Sequence, residues 1–312
     1  MDKNVELPRL LATSVVRGSQ QGDSHGGVYS IDFSRQEIIQ HLDWNTTDID
    51  FKGRGWDRGL RGIEFFRQKI FIAASDELFV YDPQFQKVNS YRNRYLKHCH
   101  EIARMGNMLF LTSTGFDSLL GFDLGRSSFS WGLYISRDND GFRGQVFDPL
   151  EANGPTISNE LHLNNVHVDN SGMYCSGLRT ESLLYVDEKF NVRKFSSLPS
   201  GAHNAQPFSN GLLFNDTAAN CVRYVDRTGA NKVFPVPIYP EEKLEFSGVD
   251  DSRVARQGFG RGLCTFAERF VIAGSSPSTV TVYDLHSGDR VASVNLTMDV
   301  RNAIHGLEVW AD

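Results

Sequence analysis

RGIEFFRQKIFIAASDELFVYD, residues 61–82, decides how the rest of the chain is read. It holds a strand, a turn, a more apolar strand, a polar break and a third strand that closes on Tyr81-Asp82. The template returns at 100–123 (HEIARMGNMLFLTSTGFDSLLGFD), 164–187 (NNVHVDNSGMYCSGLRTESLLYVD), 204–226 (NAQPFSNGLLFNDTAANCVRYVD) and 261–284 (RGLCTFAERFVIAGSSPSTVTVYD). Phe122-Asp123, Val186-Asp187, Val225-Asp226 and Tyr283-Asp284 fall where Tyr81-Asp82 does. Short runs rich in Val, Ile, Phe and Tyr, broken by Gly, Asn, Asp and Ser, are strand patterns. Their recurrence marks a stacked repeat.

A sixth copy is split across the termini. HGLEVW at 305–310 matches RGIEFF, and the remainder of that unit stands at the N-terminus as LLATSVVRG, GGVYSIDF and EIIQHLDW. Pairing the last strand with the first removes exposed sheet edges. The reading is therefore all-β: a single six-bladed β-propeller spanning 1–312, closed by its C-terminal strand on the N-terminal blade.

Composition narrows the function classes. A hydrophobic fraction of 40% supports a large core without staples. The net charge of -6 argues against nucleic acid, whose binding needs a basic surplus. No export signal and no membrane-length apolar run are visible, and four widely spaced cysteines form no C-x-x-C pair. The expectation is a cytoplasmic protein with reduced thiols, no membrane and no nucleic-acid partner. The sequence leaves the oligomeric state open.

Three long connections, 45–58, 134–161 and 236–258, join the last strand of one blade to the first of the next, so all emerge on one face. Loops of that length are commonly functional. Segment 134–161, with Asp138, Asp140, Phe142 and Phe147, has the composition of a lid.

One aligned column is polar throughout. Two residues before the first apolar residue of each inner strand stand His305, Arg61, His100, Asn164, Asn204 and Arg261. Guanidiniums grip carboxylate, phosphate or sulfate, which makes Arg61 and Arg261 candidates to hold an anion. Positive neighbours favour a neutral His305 imidazole, suited to a general base, with His100 as second acid/base group. Asn164, Asn204, His25 and His203 complete the candidate substrate-binding set, and Asp57, Asp117 and Asp216 are acids on the same face. Two other readings stand beside this one. A histidine metal site would use His98, His100, His162 and His167. A propeller without catalysis would serve as a protein-interaction platform.

LHLNNVHVDNSGMY, HNAQPFSNGLLFNDTAANCVRYVD and GFGRGLCTFAERFVIAG resemble a family of uncharacterised bacterial proteins with propeller-like domains of unknown function. More distantly, the chain is similar to the gluconolactonase and paraoxonase class of six-bladed propellers. There, inner-strand acids and asparagines hold calcium or a similar ion that activates a lactone or ester. Asn164 in NNVHVDNSG resembles that class's Asn-Asp-x-x-x-Asp-x-x-Gly stretch, and Asn204 with Asp216 resembles a later Asn- and Asp-bearing blade. Positions acidic in that class carry His305 and Arg261 here, so the resemblance implies the fold and the place of the site rather than an all-oxygen cage. The expectation is acid/base chemistry of lyase, hydrolase or isomerase type on a small anionic metabolite. No cofactor is required for it, with a transition metal or calcium as the alternative.

Overall fold

The aspartates that close each repeat organise the turn that follows it. Asp82 Oδ1 accepts from the backbone N–H of Gln84 and Gln86, Asp123 Oδ1 from Gly125 and Arg126, and Asp187 Oδ1 from Lys189 and Asn191. Asp226 Oδ1 does the same for Thr228 and Ala230, and Asp284 Oδ1 for His286. A short carboxylate that bonds amides two to four residues on substitutes for backbone pairing and turns the chain into the next strand. This is the physical content of the repeated aromatic-Asp signature.

The computed structural model describes residues 6–20, 22–45, 59–248 and 256–310. They form six antiparallel sheets, a six-bladed β-propeller with almost no helix. Blade one joins Asn302–Val309 to Leu10–Val16, Gly27–Asp32 and Glu37–Asp43. Its closing ladder runs from Leu10↔Val309 to Val16↔Asn302. Blades two to six begin with Ile63–Phe66, Ile102–Met105, Leu163–Asp169, Ala202–Phe208 and Leu263–Phe266.

The strands group into two compact units, Met1–Leu60 with Lys232–Asp312, and Arg61–Asn231. In the first, Leu10, Ala12 and Ile31 of blade one pack on Ile272, Val280 and Val282 of blade six. In the second, Phe71, Leu78 and Val80 of blade two meet Leu109, Leu111 and Leu120 of blade three. Phe110, Leu119 and Leu133 continue to Val166, Cys175 and Leu184 of blade four, and Tyr174 and Leu183 to Ala205, Leu212 and Phe214 of blade five. Blades three and four thus pack both faces of their middle strands. Every fully buried Leu or Ile contributes about 1.5–3 kcal/mol of transfer free energy.

Segment 134–161 differs from the loop read in the sequence. Ser128–Asp138 and Gly141–Phe147 form a hairpin that makes blade three five-stranded. Its turn is Asp138 to Gly141, where glycine takes φ 132°. Gly144 sits against Phe190 and Val192 of blade four, so the first half of the segment extends the sheet. Of connection 45–58 only Asn45 is described, and Asp57 lies outside the described residues. Connection 236–258 is described to 248 and from 256, with one short 3-10 turn at Glu241–Lys243.

Candidate functional site

The polar column has a backbone cause. In every blade two consecutive residues of the inner strand face one residue of the second strand. In blade two, Arg61 N donates to Ala73 O at 2.8 Å while Ala73 N donates to Gly62 O at 3.0 Å. Blade six repeats this with Arg261, Gly262 and Gly274. In blade three, the Thr112 hydroxyl accepts from both His100 N and Glu101 N at 3.0 Å. The registers slip likewise at Asn164/Asn165 opposite Ser176, Asn204/Ala205 opposite Phe214, and His305/Gly306 opposite Thr13. These are β-bulges, which re-aim side chains and cluster at functional sites. The six column residues are the first members of the six bulge pairs.

Unit 61–231 carries four of them. Arg61 is wholly buried and its Nη1 donates to Cys99 O at 3.2 Å. His100, 5% exposed, places Nδ1 2.7 Å from His98 O and 2.9 Å from Thr114 Oγ1. A carbonyl oxygen only accepts, so Nδ1 bears a proton, and in the neutral ring the lone pair falls on Nε2. Thr114 Oγ1 donates onward to Leu163 O at 2.5 Å, leaving its lone pairs toward His100. The His162 ring lies 5.6 Å from that of His100, with its Nδ1 2.9 Å from Asn159 Oδ1. Asn164 is buried, and Asn204 is partly buried with φ 50°.

Two glutamates missed in the sequence reading belong here. Glu101 Oε2 accepts from Asn204 Nδ2 at 2.8 Å and its Oε1 from Ile102 N at 3.2 Å. Burial, reinforced by the nearby Glu64 charge, pushes the Glu101 carboxyl up to about 8, so it is largely protonated at neutral pH. Glu64 Oε1 accepts from Arg104 N at 2.7 Å, and burial raises its pKa too. A Cβ added at Gly62 would stand 2.8 Å from Glu101 Oε1 and 2.6 Å from Ile102 N, so glycine is what lets these groups approach. The signal was present: Arg61-Gly-Ile-Glu64 and His305-Gly-Leu-Glu308 repeat a glutamate three residues past the column.

Unit 1–60 with 232–312 carries the other two. Arg261 Nη1 lies 3.4 Å from His305 Nε2, and both residues are buried. The Arg261 guanidinium stands 4.7 Å from the Phe259 ring centre, and that of Arg17 stands 4.8 Å from it. His25 is fully buried, its Nδ1 against Ser19 Oγ.

His203 Nδ1 meets Thr217 Oγ1 at 3.0 Å beside the blade-five bulge. His98 contributes its carbonyl to His100. His167 lies deeper on its strand, 3.6 Å from Asp169, and burial lowers its pKa, so it is not gathered with His100 and His162. Among the described residues no group of three or more His, Cys, Asp or Glu side chains converges as a metal would need. Asp117 is occupied by the 158–163 backbone, its Oδ2 accepting from Ser158 Oγ at 3.0 Å and Leu161 N at 3.0 Å. Asp216 is paired with Arg223 at 2.6 Å.

No protein-family model matches the chain, and no curated protein matches it in sequence. Solved structures do match in fold. A chain of a nidogen/laminin complex is 12% identical, with 96% of this chain and 97% of that chain covered and a TM-score of 0.55. A virginiamycin B lyase from Staphylococcus aureus is 9% identical over 80% and 73% of the two chains, with a TM-score of 0.47. AztD of Citrobacter koseri is 10% identical over 93% and 82%, with a TM-score of 0.49. At these identities the likeness is to the six-bladed propeller fold alone. No helix among the described residues is long and apolar enough to cross a membrane.

Proposed function

We propose that the protein binds a small anionic metabolite at its bulge residues and transforms it by acid/base chemistry. The observation that carries this reading is the buried His100 ring, held with its Nδ1 against the His98 carbonyl. With Nδ1–H committed to the His98 carbonyl, the neutral imidazole carries its basic lone pair on Nε2, the arrangement a general base needs. Arg61 beside it in the bulge series brings a permanent cation into a dry setting, where an oxyanion is the matching partner. Asn164 and Asn204 supply neutral orientation, and Glu101 a protonated carboxyl. Arg261 with His305 offers the same pairing of guanidinium and imidazole on its own unit. Lyase, hydrolase or isomerase chemistry needs no more than these groups.

A thermal-shift screen of carboxylates and phosphate esters, run on the wild type and on an Arg61→Gln/Arg261→Gln double variant, tests the reading. An anion that raises the wild-type Tm should lose about tenfold or more in affinity in the double variant. Undiminished anion binding there would remove the proposal.

A further inference from the structure

Asn164 and Asn165 are adjacent and equally hidden, 4% and 3% exposed, yet the fold treats them differently. Asn165 Nδ2 donates to Ala205 O at 2.7 Å and to Ser176 Oγ at 3.2 Å. Asn164, the first residue of the bulge, has both Nδ2 and Oδ1 sealed from solvent with no hydrogen-bond partner among the described residues. A buried amide with neither group met is a standing destabilisation. The neighbouring residue proves that this strand can satisfy an asparagine when it needs one only for structure.

Asn164 holds the bulge position that His100 holds in the preceding blade, and His162, two residues before it, packs on the His100 ring. An asparagine amide presents one donor and one acceptor side by side. Its complement is a group with an N–H beside a C=O on the same edge. Open-chain secondary amides are trans and point these groups in opposite directions. A carboxylate only accepts and would leave Oδ1 unmet. Cyclic amides hold N–H and C=O cis, and a primary carboxamide does so through its syn N–H.

We infer that Asn164 is the specificity residue of the site and that the metabolite carries a cis-amide edge, as in a lactam, ureide or primary carboxamide, in addition to its anionic group. This rests on the anion reading above, with the charge assigned to arginine and the amide edge to Asn164.

Three probes separate the two ideas by calorimetry: 5-oxoproline has both groups, cyclopentanecarboxylate only the charge, and 2-pyrrolidinone only the amide. In the wild type, 5-oxoproline should bind about tenfold tighter than cyclopentanecarboxylate, the worth of one good buried hydrogen-bonding pair. Asn164→Leu, which keeps the side-chain bulk, should erase that ratio and at the same time raise the Tm, because it removes the unmet groups. Arg61→Gln should weaken both carboxylates alike. Equal binding of the two carboxylates, a ratio that survives Asn164→Leu, or a lowered Tm in that variant would each overturn the inference while leaving the anion reading intact. Binding of 2-pyrrolidinone without either carboxylate would instead sink the anion reading alone. No binding by any of the three at millimolar concentration would overturn the cyclic-amide class.

Discussion

Asn204 Nδ2 donates to Glu101 Oε2 at 2.8 Å, tying blade five to blade three past the whole of blade four. Asn215 Nδ2 donates to Asn204 Oδ1 at 3.0 Å and holds that amide in line. The bond stabilises a carboxyl that burial and Glu64 otherwise push toward its neutral form.

The Glu101 carboxyl makes stability depend on pH in a defined direction. Its folded pKa of about 8 stands above the unfolded value, so folding takes up a proton between the two. Stability is then fully present below about pH 4.3 and declines as pH rises toward 8, by at most about 1.4 kcal/mol per pH unit. Urea midpoints measured from pH 5 to 8 should fall in the wild type and flatten in Glu101→Gln. Parallel profiles would contradict this.

Removing the cross-blade bond should act on the same titration. Asn204→Ala takes away an interaction that lowers the Glu101 pKa, so the decline should start at the same pH and extend to higher pH. The variant should also lose about 1–3 kcal/mol at neutral pH, read from chemical denaturation. A decline that ends at lower pH than in the wild type would contradict this.

Asp117 predicts a purely structural defect. Its carboxylate gathers Ser158, Leu161 and, at 3.3 Å, Leu163 N from a left-handed backbone position. Asp117→Ala should cost about 2–4 kcal/mol by stranding those buried donors. It should also speed proteolysis within 158–163, followed by mass spectrometry, whereas an intact loop would show that the carboxylate is not its anchor.

The cysteines should be silent in the native state. Cys99 and Cys175 are fully buried, and burial pushes both thiols up to about 12. Iodoacetamide at pH 8 should leave both unmodified, while denaturant should give four adducts, one for each cysteine of the chain. Prompt native labelling of Cys99 would mean that its blade opens.

The propeller was legible because its turns are chemical. Asp82, Asp123, Asp187, Asp226 and Asp284 each bond the amides that follow them, and that requirement writes one letter at a fixed place in each repeat. The column from Arg61 to His305 could be read for the same reason, since each member precedes a fixed apolar residue. Glu101 was passed over because strand alternation assigns it to the face opposite His100, whereas the bulge lets both amides of the pair share the Thr112 hydroxyl. The hairpin of 128–147 hid behind its polar tip, although Asp-Asn-Asp-Gly at 138–141 is a turn signal flanked by Ile135 and Phe142. Asn164 could be nominated from sequence but not distinguished from Asn165, because only packing separates a satisfied amide from an unmet one.

The bulges carry one more consequence. A residue inside a regular ladder is constrained by its cross-strand partner, so exchanging it disturbs the sheet. The first member of each bulge pair is released from that constraint, which is why Arg, His and Asn can occupy the same place in six blades whose middle strands remain uniformly apolar. Each bulge behaves as a socket on its own blade: its content can be exchanged while the sheet that presents it stays the same.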